Sequence, residues 1–285
     1  MSAPPGLVTD TIAFSNVDGP GNRFVAFLQG CTFDCAACHN PYTIAVCNDC
    51  GDCVDTCASG ALAVGADGRV TWDATACTGG DTCLTVCPHD ASPKARTIEV
   101  AALLDRIRPA APFLSGVTVS GGEATRQAAF VRALFGGVKS DASLARLTCF
   151  IDSNGDADAD TWALLAPVTD GVMVDLKCLD PEIHRAITGH PNDAVLDSIR
   201  LLQALGLLYE VRLLLVAGVN DGTDLLGRTA AWLAGVDPAM RVKLIGYRRH
   251  GVRPHSPDLV EPTVAAMDAA ADLFRAAAAF DVCVV

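Results

Sequence analysis

The 285-residue chain predicts an α/β fold, a partial (β/α)6 barrel interrupted by one cysteine-rich insert. Three observations lead there. Beyond residue 99, apolar runs of strand length alternate with segments of helical period, the pattern of parallel β/α units. An earlier run, residues 25–29, is apolar without alternation, as a strand buried on both faces would be. Between them, residues 44–98 hold seven of the thirteen cysteines and little that reads as barrel strand or helix. The expected division is 1–43 and 99–285 for the barrel, with 44–98 as an inserted module.

Taken in order, the strand at 25–29 opens the barrel and delivers a cysteine loop at its C-terminal end, where α/β barrels place their chemistry. Within the insert, 61–64 and 69–72 flank Asp67-Gly68, a hairpin turn signal. A helix is expected at 98–108, a strand at 117–120 and a helix at 124–136. Strand 147–152, a helix around 161–166 and strand 171–176 follow, then helices at 181–187 and 194–205. Strand 209–216, helix 224–233, strand 241–247 and helix 262–280 complete the run. The six strands make a split barrel, open on one side.

Composition narrows the function. A formal charge of −12 and a pI near 4.8 oppose a nucleic-acid surface, which needs clustered Lys and Arg, so partners should be small molecules or proteins. Residues 1–8 carry no basic segment leading an apolar one, so no secretory signal is expected. The apolar stretches 201–219 and 264–285 are broken by Glu210, Arg212, Asp268 and Asp272, so no membrane span is expected. Thirteen cysteines without an export signal imply metal or redox use in a reducing cytoplasm.

The central motif is Gly30-Cys31-Thr32-Phe33-Asp34-Cys35-Ala36-Ala37-Cys38-His39-Asn40, a C-x3-C-x2-C loop. Three thiolates wrapped this tightly suit one four-iron cubane and leave one iron without a protein ligand, the open position of a catalytic site. A zinc knuckle is the competing reading, but zinc normally takes four ligands from two separated pairs. With Val17-Asp18-Gly19-Pro20-Gly21-Asn22-Arg23 before it, the span closely resembles the signature of the glycyl-radical-enzyme activases. These are radical S-adenosylmethionine (SAM) enzymes, and the chain looks most like the subgroup with a ferredoxin-like insertion. The resemblance implies that Cys31, Cys35 and Cys38 hold a catalytic [4Fe-4S] cluster that binds SAM. It also implies reductive cleavage of SAM to a 5′-deoxyadenosyl radical, which takes a Cα hydrogen from a glycine on a partner glycyl radical enzyme. Flavodoxin or ferredoxin would supply the electron. Asp18, Gly19, Pro20 and Gly21 match a segment implicated in holding that glycine loop; on composition alone they form an ordinary turn.

In the insert, Cys47-x2-Cys50-x2-Cys53-x3-Cys57 has the spacing of one half of a bacterial two-cluster ferredoxin, and Cys77, Cys83 and Cys87-Pro88 supply the other half. In such proteins the fourth cysteine of each run serves the other cluster. That assigns Cys47, Cys50, Cys53 and Cys87 to one auxiliary [4Fe-4S] cluster, and Cys57, Cys77 and Cys83 to a second, incomplete site. Gly80 stands where the pattern calls for cysteine. The second site must lose an iron, recruit an oxygen ligand such as Asp81, or stay empty; zinc is the competing reading for the insert as a whole.

Four strand ends carry the remaining candidates. Ser120-Gly121-Gly122-Glu123 follows a strand and precedes a helix; its glycines let backbone approach a ligand and its carboxylate can pair with an ammonium. It resembles the family segment that binds the SAM amino group. Asp152, Ser153, Met173 and Asp175 match positions that hold a monovalent cation beside the SAM carboxylate, and Asp175 and Lys177 form the matching D-x-K pair. Arg212 matches an arginine near the SAM ribose and carboxylate, with a structural ion pair as the competing role. After the last strand, Arg248 stands where relatives have a SAM-contacting histidine, with His250 two residues on. Ala37 stands where relatives often have an aromatic residue. Cys149, Cys178 and Cys283 match no motif and are expected to be small buried side chains. A radical SAM enzyme acting on a small molecule or another peptide is the alternative function. An iron–sulfur electron-transfer protein is a further alternative, although it would need neither the Gly121-Gly122-Glu123 nor the Asp175-x-Lys177 site.

Overall fold

The structure is a computed structural model that describes residues 4–253 and 257–285; the N-terminal reading above rests partly on residues 1–3, which lie outside them. Its strands and helices run β1 (Gly6–Ser15), β2 (Arg23–Leu28), β3 (Leu62–Val64), β4 (Val70–Trp72), α1 (Thr82–Thr85), β5 (Arg96–Ile98) and α2 (Val100–Ala110). There follow β6 (Gly116–Gly121), α3 (Ala128–Ser140), β7 (Thr148–Ser153), α4 (Ala159–Leu165), β8 (Gly171–Asp175) and α5 (Pro181–Thr188). Last come α6 (Asp193–Ala204), β9 (Leu208–Leu215), α7 (Thr223–Val236), β10 (Arg241–Gly246), α8 (Val264–Ala277) and β11 (Asp281–Val284).

Strands β2, β6, β7, β8, β9 and β10 lie side by side in chain order and pair in parallel. Crossovers between sequential parallel neighbours are right-handed as a rule and put their connecting helices on one face, so such a sheet curls into part of a barrel. These are the six expected strands. Three more extend the sheet beyond expectation among the described residues: β1 pairs antiparallel with β2, β5 antiparallel with β1, and β11 parallel with β10. The cysteine-rich segment therefore ends inside the main sheet. It also holds the expected hairpin, β3 with β4.

Helix ends follow the local chemistry. Asp180 accepts from the N–H groups of Glu182 and Ile183 ahead of Pro181, and Gly189 closes α5 in the left-handed region at φ 79°. Asp158 and Thr263 cap α4 and α8 in the same way. The segment expected to be helical from 124 begins instead with a 3-10 turn, Ala124–Gln127. The helices bury apolar stripes such as Phe130, Val131, Leu134, Phe135 and Val138 of α3 against the outer sheet face. Val117, Val119, Ile151, Val172, Val174, Val211 and Leu213 meet them there. The alternate positions face the hollow of the barrel and include Thr118, Ser120, Asp152, Asp175, Glu210 and Arg212 beside Phe150, Met173 and Leu214. Cys149 and Cys178 are buried as expected. Cys283 is exposed instead, because it lies on the outermost strand, where no further strand or helix covers its side.

Candidate active site

The cysteine loop leaves β2 at the C-terminal edge of the sheet. Gly30, at φ 98°, turns the chain, and the loop is then fastened along its length. Gly30 and Cys31 donate their N–H groups to the carbonyls of Thr43 and Ile44, at 2.8 Å each. Asp34 and Ala36 donate to Thr188 and Ile187 at the end of α5, at 2.9 Å each. Cys31, Cys35 and Cys38 all face an open cleft of about 200 Å³, which Ser120, Gly121, Gly122, Asp152, Ser153, Asp175 and Lys177 also line. Burial pushes the Cys31 thiol up to about 11 and Cys35 to about 12, and raises Cys38 as well. Iron must therefore displace protons that the thiols hold tightly. N–H donors already face one sulfur: Phe33 N lies 3.4 Å and Asn154 Nδ2 3.7 Å from Cys31 Sγ.

Gly121 and Gly122 are required by the loop itself. A Cβ on Gly121, at φ 113°, would lie 2.4 Å from backbone atoms of Leu28, and one on Gly122 would lie 2.4 Å from the Gly30 carbonyl oxygen. The close approach lets Gly122 and Glu123 donate N–H groups to the Leu28 and Gly30 carbonyls, at 2.9 and 2.8 Å. Glu123 does not line the cleft. Fully buried, its carboxylate accepts from Thr125 N at 2.9 Å, Thr125 Oγ1 at 2.7 Å, Ser153 Oγ at 2.9 Å and Asn154 N at 2.7 Å. It ties the end of β6 to Thr125 and to Ser153 and Asn154 at the end of β7.

Deeper in the barrel, Arg212 organises the carboxylates. Its Nη1 bonds Asp152 at 3.0 Å, its Nε bonds Glu210 at 2.8 Å, and its Nη2 lies 2.7 Å from Met173 Sδ. Burial opposes its charge, but Asp152, Asp175 and Glu210 outweigh burial and raise its pKa. The same balance holds Lys177 protonated: burial lowers it, while Asp175, 2.6 Å away, and the Cys35 thiol raise it further. The positions matched to a monovalent cation, Asp152, Ser153, Met173 and Asp175, are thus already engaged by Arg212, Glu123 and Lys177. Arg212 therefore makes the structural ion pairs of its competing role.

The family model described as the radical SAM superfamily matches residues 25–226, the span from the first barrel strand to α7. The chain belongs to the radical SAM superfamily. It is 31% identical over 272 residues to a pyruvate formate-lyase-activating enzyme of Streptococcus mutans, covering 90% of this chain and 88% of that protein. It is 28% identical over 271 residues to an isethionate sulfite-lyase activating enzyme of Desulfovibrio desulfuricans, covering 88% of this chain and 85% of the relative. The chain is an enzyme of this activating type. In three dimensions it resembles Streptococcus suis SuiB bound to S-adenosylmethionine, with a TM-score of 0.56 at 14% identity over 69% of this chain and 46% of SuiB. That likeness concerns the fold alone.

Other expected residues of this radical SAM chain lie apart from the cleft. Arg248 and His250 are exposed beyond β10 and do not line it; the Arg248 carbonyl instead lies 2.8 Å from His39 Nε2, and His39 does line the cleft. Asp18, Gly19, Pro20 and Gly21 sit at the opposite, N-terminal end of β2. There Asp18 accepts a bond from Ser15 Oγ and its carbonyl accepts from Thr118 Oγ1 at 2.7 Å. Behind them the fully buried Arg23 reaches Thr118 Oγ1 at 2.6 Å, the Pro20 carbonyl at 3.1 Å and the Val117 carbonyl at 2.8 Å.

In the insert, Cys47, Cys50, Cys53 and Cys87 line one small cavity. Cys57, Cys77 and Cys83 line another together with Gly80 and Asp81. Among the described residues, no three His, Cys, Asp or Glu side chains form a site for a single metal ion. Arg253 joins the insert to the catalytic loop, bonding Asp90 at 2.7 Å, the Cys35 carbonyl at 3.1 Å and the Asp34 carboxylate.

Sequence reasoning missed Glu210, Asn154, His39 and Arg253. Glu210 had a readable signal, since it lies two residues from Arg212 and so shares its strand face. Arg253 had none, because its partners are 163 to 219 residues away. Among the described residues, no helix is long and apolar enough to cross a membrane.

Proposed function

We propose that this chain installs a glycyl radical on a partner enzyme. When bound, the [4Fe-4S] cluster and SAM supply one-electron cleavage of the sulfonium to methionine and a 5′-deoxyadenosyl radical, which takes the glycine Cα hydrogen. The single observation that carries the reading is the convergence of Cys31, Cys35 and Cys38 on one cleft with Asp152, Asp175 and Lys177. In this reading the three thiols hold the cluster. Asn154 and the Phe33 N–H would donate toward its sulfur, and the backbone at Gly121-Gly122 would receive the SAM amino group. Lys177 and Arg212 keep the carboxylates beside SAM compensated. Where a monovalent cation joins them, it shares Asp152 with Arg212 and Asp175 with Lys177. Leu214 and Ile245, which line the cleft, offer apolar surface to the adenine.

Asp18 and the turn after it stand at the other end of the barrel, so the partner's glycine loop would enter from that side toward the interior. The insert would carry the electron inward, with one auxiliary [4Fe-4S] cluster on Cys47, Cys50, Cys53 and Cys87 and a second site on Cys57, Cys77 and Cys83. A cytoplasmic flavodoxin or ferredoxin is the donor such chemistry needs.

Electron paramagnetic resonance tests the proposal. The protein, reconstituted without oxygen and mixed with reductant, SAM and a candidate glycyl radical enzyme, should give a glycine-centred doublet on the partner. SAM cleavage with no such signal on any candidate partner would favour a small-molecule or other peptide substrate.

A further inference from the structure

The second cavity of the insert lacks one of the cysteines that its spacing calls for, and the structure shows what stands there instead. A Cβ added at Gly80 would meet no heavy atom within 4 Å, and Gly80 does not adopt the left-handed backbone that excludes other residues. Neither space nor strain therefore keeps a cysteine out. The next residue, Asp81, is in the left-handed region at φ 52°, which aspartate enters more readily than most residues with a Cβ. Its carboxylate is bonded to the ammonium of Lys94, and both residues line the cavity. The Lys94 side chain is only 15% exposed and lines the same cavity as Cys57, Cys77 and Cys83. Asp81 is the one acidic side chain among the residues lining it.

We propose that Asp81 is the fourth protein ligand of an iron–sulfur cluster held by Cys57, Cys77 and Cys83, with Lys94 positioning its carboxylate. The proposal rests on the reading of the insert as a cluster carrier. Three thiols release protons as their sulfur–iron bonds form, and the ionised carboxylate adds an oxygen–iron bond without any change of oxidation state. Ser59, Thr78 and Thr82 also line the cavity, but each would have to give up an alcohol proton to serve as an anionic ligand. A carboxylate is a harder ligand than thiolate, so the iron it holds is the one the cluster releases first. Lys94 then faces that corner and offsets the negative charge gathered there.

Iron analysis with Mössbauer and paramagnetic resonance spectroscopy of the reconstituted full chain tests this. Wild type should hold a four-iron cluster here, and Asp81→Ala should lose about one iron and gain the signal of an oxidised three-iron cluster. Adding Gly80→Cys to Asp81→Ala should restore the four-iron form. Lys94→Gln should keep that form but speed loss of one iron to a chelator several-fold; an unchanged rate removes Lys94 from the assignment. A three-iron signal in wild type, or an Asp81→Ala protein with unchanged iron and spectrum, overturns Asp81 as the ligand. Joint replacement of Cys57, Cys77 and Cys83 by serine with no loss of iron overturns something different, the presence of any cluster in this cavity.

Discussion

Glu123 and Asp175 show how two carboxylates in one active site do different work. Glu123 accepts four hydrogen bonds in a fully buried setting, so removing it leaves several donors without partners. At about 1–3 kcal/mol per unsatisfied buried group, Glu123→Ala should lower the unfolding temperature by several degrees, whereas Glu123→Gln should recover part of the loss. Calorimetric melting decides, and an unchanged Glu123→Ala protein would show that the brace is unimportant. Asp175 faces the cleft and compensates the half-buried Lys177 ammonium. Without it that ammonium confronts a cationic sulfonium, so Asp175→Ala should weaken SAM binding by about tenfold, or ~1.4 kcal/mol. Arg248 is exposed outside the cleft, and Arg248→Ala should change affinity less than about twofold. Equal losses in isothermal titration would place Arg248 in the site. The motif at 121–123 was legible as a site in the sequence, but the inward turn of Glu123 was not. That orientation depends on Ser153 and Asn154, thirty residues further along the chain.

Among the elements, the six parallel strands were legible because each is a short apolar run between helical periods. The strands β1, β5 and β11 were not. Six of the ten residues of β1 are exposed or half-buried, β5 has three residues, and β11 alternates at the sheet margin after a long helix. Short, half-exposed strands take their form from the neighbour they pair with rather than from their own pattern. The link from insert to catalytic loop belongs to this scale as well. Arg253 is the side chain that bonds both Asp90 and the Asp34–Cys35 segment, and its own side chain is 11% exposed. Arg253→Ala should therefore leave the barrel folded, as read by far-ultraviolet circular dichroism, while iron leaves the catalytic loop several-fold faster under chelation. Release at the wild-type rate would mean that the loop is held by its backbone bonds to Thr43, Ile44, Thr188 and Ile187 without help from Arg253.

At the scale of the whole molecule, the proposed chemistry and the proposed substrate approach fall at the two ends of one barrel. The cysteine loop and the cleft lie at the C-terminal strand ends, and Asp18 to Gly21 at the N-terminal end. Between them runs an interior that includes Thr118, Ser120, Asp152 and Arg212. From Arg23 to Leu28, β2 spans six residues, roughly 20 Å at about 3.3 Å each, so a glycine loop entering past Asp18 has to extend into the barrel to meet the radical. The central claim is that the hydrogen moves directly from that glycine to the adenosyl carbon. Mass analysis of 5′-deoxyadenosine formed with a partner whose glycines carry deuterium at Cα tests it most directly. One deuterium should appear in the product for each glycyl radical formed; deuterium-free 5′-deoxyadenosine alongside a full radical signal would contradict the account.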